Sequence, residues 1–134
     1  MVRRVAMVVG IMFLLLGILG LVSPGGMTMG VDQSGMVLGM FPVNLLHNIV
    51  HLAFGVWGLV AARSFAGAKM YAQTGGIVYV VLAVCGFFIP TVFGLIPIGG
   101  SDIWLHALLG IVLAGVGYTA KDTMAASTPM AAKM

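Results

Sequence analysis

The sequence predicts an all-α integral membrane protein, a four-helix bundle of spanning helices built as two repeated helical hairpins. Three observations carry that expectation. The mean hydropathy is +1.18 with charged residues at only 7%, four apolar runs are long enough to cross a bilayer, and one sequence pattern recurs in the two halves of the chain. A soluble fold of 134 residues needs far more polar surface than this to enclose its core.

Crossing the hydrocarbon takes about 20 mostly apolar residues in helical form, because a helix satisfies its own backbone without water. The first run is Val5 to Val22. It follows Arg3 and Arg4, as a secretory signal would, but an apolar stretch of about 18 residues exceeds the roughly 7–15 of a signal core, and no A-x-A site follows. It is therefore read as a retained helix. The glycine-rich stretch "SPGGMTMGVDQSGMVLGMFP" then forms a loop that leads into the second run, Val43 to Ala62. The third run is Met70 to Ile89 and the fourth is Ile103 to Thr119. Pro42 and Pro97 precede the second and fourth runs, where a proline can open a helix without losing a useful donor. Residues 121–134 have no apolar periodicity and are expected to be a disordered tail.

The halves resemble each other. "GIMFLLLGILGLVSP" (Gly10 to Pro24) lies over "GIVYVVLAVCGFFIP" (Gly76 to Pro90), matching at both ends and in apolar character throughout. "FPVNLLHNIVHLAFG" (Phe41 to Gly55) lies over "IPIGGSDIWLHALLG" (Ile96 to Gly110), which pairs Pro42 with Pro97, His51 with His106 and Gly55 with Gly110. Each half then reads as a hairpin, with a pseudo-two-fold axis along the membrane normal. All six Lys and Arg residues fall on one side of the resulting topology, whereas Asp32 and Asp102 lie on the other. The positive-inside rule places both termini in the cytoplasm. That charge pattern suits membrane orientation and argues against nucleic acid as a partner. Cys85, the single cysteine, can form no intrachain disulfide. No Ser-His-Asp order, phosphate-binding glycine loop or Cys-x-x-Cys pair is present, so no enzymatic activity is expected.

Polar residues nevertheless interrupt the second and fourth runs. Residues three, four and seven apart share a helix face. Asn44, His47, Asn48 and His51 form one such stripe, continued by Gly55 and Gly58, and Asp102, His106 and Gly110 form a sparser one. Polar groups are costly in hydrocarbon unless they turn inward and find partners. Both stripes should therefore face the interior near the outer side, with His51 and His106 at one depth and opposed across the axis.

Two chemistries compete for that cluster. One is helix glue, in which the polar groups hydrogen-bond across helices and the glycines allow close approach. The other is ligation of a haem or chlorophyll-type tetrapyrrole by His51 and His106, with Gly55 and Gly110 one turn away making room for a flat ring. A simple metal site from His47, His51, His106 and Asp102 is a further option. Copper would draw on the thioethers of Met27, Met29, Met36 and Met40, although methionine also replaces leucine freely in apolar loops. Trp104 is placed as an interfacial anchor, and Trp57, deeper, as a packing residue.

"FPVNLLHNIVHLAFGVWGLVAAR" and "GLIPIGGSDIWLHALLGIVLAGVGY" together resemble the family catalogued as domain of unknown function 4383, small bacterial membrane proteins with four predicted spans. The similarity runs from about Met7 to Tyr118, and N-L-x-H-N-x-x-H-L is its most specific part. The resemblance implies a multi-pass inner-membrane protein carrying both repeats, with Asn44, His47, Asn48, His51, Asp102 and His106 in the family's polar positions. It implies no activity. The outer-loop methionines stand where the family commonly has leucine, which weakens the copper reading. The expected function is a non-enzymatic membrane protein, a structural subunit or small-ligand binder. Its partners would be the bilayer and either a larger membrane complex or a second copy.

Overall fold

Backbone satisfaction in an apolar chain favours helices, and four of them carry this one. In the computed structural model, which describes residues 1–122, they are α1 (Val2–Val22), α2 (Leu45–Ala61), α3 (Phe65–Phe88) and α4 (Ser101–Thr119). Helices α1, α3 and α4 are long and apolar enough to cross a membrane, whereas α2 is shorter, at 17 residues. From residue 123 onward, the tail expected to be disordered lies outside the described residues.

Helix starts differ from the proline-based expectation. Asn44 stands in extended conformation and caps α2, its side chain accepting from the His47 N–H, so the helix begins after that residue rather than at Pro42. An Asn cap satisfies a free N–H directly, and a proline at N1 only avoids wasting one. Ser64 caps α3 in the same way, accepting from the Gly67 N–H at 3.0 Å, and this sets the start of that helix at Phe65, ahead of Met70. Helix α4 opens at Gly100, which has φ 65 and no side-chain cap.

Part of the segment read as a featureless loop is a hairpin. Strand β1 (Gly35–Val37) pairs antiparallel with β2 (Phe41–Val43), in the register Gly35↔Val43, Met36↔Pro42 and Val37↔Phe41. The turn closes through Met40 N–H to Val37 O at 3.1 Å. Leu38 and Gly39 both have positive φ, 54 and 67, as in the primed turns that suit strand twist. Pro42 is tolerated because a two-stranded ribbon has only edge strands.

The closest packing runs within the sequential pairs α1–α2 and α3–α4, with α3 also touching α1 and α2. Phe13, Tyr71, Tyr79 and Leu113 are the large buried apolar side chains at the centre. Ile11, Leu15, Ile18, Val56, Val84, Leu108 and Ile111 remain exposed on the outside of the helices, the surface a lipid solvent would cover. Trp57 packs against Tyr71 with ring centroids 4.9 Å apart, whereas Trp104 is 68% exposed at the helix ends. The loop between α3 and α4 carries Val92 and Phe93 at φ 42 and 59, a conformation that costs a non-glycine residue energy.

Candidate functional site

The polar residues gather at the loop end of the bundle, in the first two turns of α2 and α4. Asn44, His47, Asn48, His51, Asp102 and His106 are all buried, none more than 5% exposed. They do not share one task.

The asparagines fasten loops to helices. Asn44 Oδ1 accepts from the His47 N–H at 2.9 Å, and its amide donates to Leu95 O at 2.7 Å and to Gly30 O at 3.5 Å. One side chain thus ties α2 to both long loops. Asn48 donates to Gly26 O at 2.8 Å. Its amide fits only because residue 20 is glycine, where a Cβ would overlap Asn48 Oδ1.

Histidine and aspartate form a separate centre. The His47 Nδ1–H donates to Pro42 O at 3.1 Å, and the His106 Nδ1–H donates to Asp102 O at 2.7 Å. A carbonyl can only accept, so each bond puts the hydrogen on Nδ1 and, in the neutral ring, the lone pair on Nε2. His47 Nε2 lies 3.9 Å from Asp102 Oδ2, and His106 Nδ1 lies 3.3 Å from the same oxygen. His47, Asp102 and His106 each offer one ligand atom, all within 4.8 Å of one another. Asp102 stands in the first turn of α4, where the partial positive charge of the helix end favours a carboxylate.

His51 is near this triad without joining it. Its ring centroid is 4.4 Å from that of His47 and 5.3 Å from that of Phe13. Phe13 in turn stacks on Tyr79 at 5.3 Å and 12°, and Tyr79 meets His106 at 5.1 Å. His51 and His106, expected to be opposed, therefore flank a stacked pair, and His47 sits 6.2 Å from His106 on the remaining side. Phe13 and Tyr79 were not picked out from the sequence as site residues. The signal was available, since they occupy the same position in the two overlaid stretches.

The space among these side chains is small. A cavity of about 30 Å³ is lined by His47, His51, Tyr79 and His106 with aliphatic Val50, Leu82, Val92, Ile96 and Ile98. That accommodates about one water or one ion, against roughly 300 Å³ or more for a drug-sized ligand. The room expected beside Gly55 and Gly110 is filled. A Cβ at Gly55 would lie 2.6 Å from the Leu14 side chain, and one at Gly110 would lie 2.7 Å from Val80 N. A flat tetrapyrrole has no place here. Met27, Met29, Met36 and Met40 are exposed, and none lines the cavity.

Apolar helices, three of them long and apolar enough to cross a membrane, surround a buried His/Asp centre and define a mainly helical, membrane-like protein. The chain belongs to the family described as Domain of unknown function (DUF4383), whose model matches residues 3–119. No curated protein and no solved structure matches it.

Proposed function

We propose that the protein is a non-enzymatic integral membrane protein that holds one small ligand between two equivalent hairpins. All four helices span in this reading, with both termini on the cytoplasmic side of a bacterial inner membrane and the bilayer as the principal partner. Helix α2 is long enough, since 17 residues at about 1.5 Å each reach roughly 26 Å, close to the ~27–30 Å of hydrocarbon.

Repeated contacts support the duplication. A shift of 66 residues (Gly76 less Gly10) carries α1 onto α3, and one of 55 (Gly110 less Gly55) carries α2 onto α4. Under those shifts, Gly55 against Leu14 becomes Gly110 against Val80, and Gly20 against Asn48 becomes Gly86 against Ile103. Gly10 against Leu59 N likewise becomes Gly76 against Ala114 N. Phe13–His51, at 5.3 Å and 30°, becomes Tyr79–His106, at 5.1 Å and 34°. Arg3 donates to Ala62 O and its counterpart Lys69 donates to Ala120 O, each cation sitting at the C-cap of its partner helix, although Ala120 lies three residues beyond the position a shift of 55 gives Ala62. Apolar filler alone gives no reason for so many matched pairs.

One observation favours ligand binding over helix glue: Asp102 Oδ2 and His51 Nδ1 are buried without a hydrogen-bond partner. Glue would consume its hydrogen-bonding capacity, because an unsatisfied buried polar atom costs about 1–3 kcal/mol. The test is the triple variant His47→Leu, Asp102→Leu, His106→Leu. Exchanging a buried ionic group for apolar side chains is neutral or stabilising by about 1–4 kcal/mol when the group is not structural, so this variant should fold and match the ligand-free wild type in stability. Collapse of the bundle would instead favour glue, or a structural subunit. Orientation is checked in a Cys85→Ala background. Asp32→Cys should react with an impermeant maleimide in intact cells, and Arg63→Cys only after permeabilisation.

A further inference from the structure

We infer that the small ligand is a single divalent transition-metal ion of the zinc type, held by His47, Asp102 and His106. This rests on the small-ligand reading above and narrows it to one chemistry.

Acceptors face each other in this centre. With the His47 Nδ1–H committed to Pro42 O, its Nε2 lone pair stands 3.9 Å from the Asp102 Oδ2 that lacks a hydrogen-bond partner. Two acceptors so placed need a proton or a cation between them. The ion pairs that Asp102 makes among the described residues are with His47 and His106 alone. Arg3, Arg4, Arg63, Lys69 and Lys121 lie at the opposite helix ends, so among the described residues no lysine or arginine supplies that charge.

The surroundings resemble those of metal-binding histidines. Such residues donate their second N–H to a carbonyl or carboxylate, which fixes the tautomer and aims the free nitrogen. His47 and His106 both do this through backbone carbonyls. The ligand atoms, within 4.8 Å of one another, must draw in by up to about 1.5 Å, with the His106 ring presenting its Nε2, to reach the roughly 3.3–3.5 Å edges that ~2.0–2.2 Å bonds give at tetrahedral angles. His51 lines the same cavity with an unpaired Nδ1 and is available for the fourth position.

Donor chemistry selects the ion. Two imidazoles and one carboxylate suit zinc and its neighbours. Calcium and magnesium require six or more oxygens, and the single carboxylate here cannot provide them. Monovalent copper prefers thiolate or thioether, and no cysteine or methionine lines the cavity.

The full chain, purified in detergent with an affinity tag free of histidine and stripped with EDTA, is titrated with Zn²⁺ by calorimetry, and its metal content is read by mass spectrometry. One Zn²⁺ per chain is expected, with Co²⁺ giving the absorption bands of a tetrahedral site. Asp102→Asn and His47→Gln, which keep shape while removing a donor, should each weaken binding by about 100-fold or more. Circular dichroism confirms their fold, and His106→Gln replaces either variant that does not fold. Retained affinity in the folded variants would overturn the assignment, as would a wild-type protein that takes up no stoichiometric zinc. The latter result leaves the small-ligand reading to the triple leucine variant, so the two fail separately.

Discussion

Asn44 shows how much one side chain can hold. It caps α2 and bonds both long loops, so Asn44→Ala should remove a cap worth about 1 kcal/mol and strand a loop carbonyl at about 1–3 kcal/mol more. Asn44→Asp restores the cap without the amide donor and should recover only the smaller part. Both are read by denaturant unfolding in detergent micelles. Gly20 makes the complementary case. Gly20→Ala drives a methyl into Asn48 and should cost about 1–3 kcal/mol, whereas Gly30→Ala, with nothing within 4 Å, should stay within about 0.5 kcal/mol. Equal effects at the two glycines would refute this account of the Asn48 pocket. The sequence placed these asparagines correctly in an inward stripe. Their role as loop clamps was not legible, because their acceptors are backbone carbonyls, which every residue type offers alike.

At the scale of elements, the β1–β2 ribbon is the piece no periodicity announced. Three-residue strands are too short to display alternation, and their apolar residues read equally well as the approach to a helix. Its turn is suboptimal, because Leu38 sits at φ 54 directly before Gly39. Leu38→Asn installs the Asn-Gly pair that such turns prefer and should raise stability by about 0.5–1 kcal/mol, visible as an upward shift in Tm. An unchanged or lower Tm would show that the 74% exposed Leu38 side chain earns its place by contact with something outside the chain. The helices themselves were legible because each combines a long apolar run with polar or glycine punctuation. Their starts were less so, since Pro42 and Pro97 competed as signals with the Asn44 cap and with Gly100.

Taken whole, the molecule has its two hairpins joined at the centre by a stack of Phe13 on Tyr79. Such pairs contribute about 0.5–1.5 kcal/mol beyond their burial. A double-mutant cycle on Phe13→Leu and Tyr79→Leu should therefore return a coupling of that size. Strictly additive losses would mean that the rings merely fill space, each within its own hairpin. His51 packs on one ring of that stack and His106 on the other, and the two histidines line the same cavity together with His47. Depth follows from spacing along a helix. Which ring meets which depends on what occupies the axis between them.

By itself the sequence determined that this chain is helical, apolar on its outer surface, and polar at one end of its interior, because composition and 3.6-residue spacing fix those properties before any helix meets another. Tertiary structure decided which of the candidate residues lie within reach of one another. Asp102 meets His106 one turn along α4 and His47 across from the start of α2, the glycines beside the histidines are filled by Leu14 and Val80, and what remains is a space of about 30 Å³. The physical reason is that a helix face specifies direction and depth, whereas distances between facing side chains are set only when close-packed interiors leave a single arrangement free of overlap.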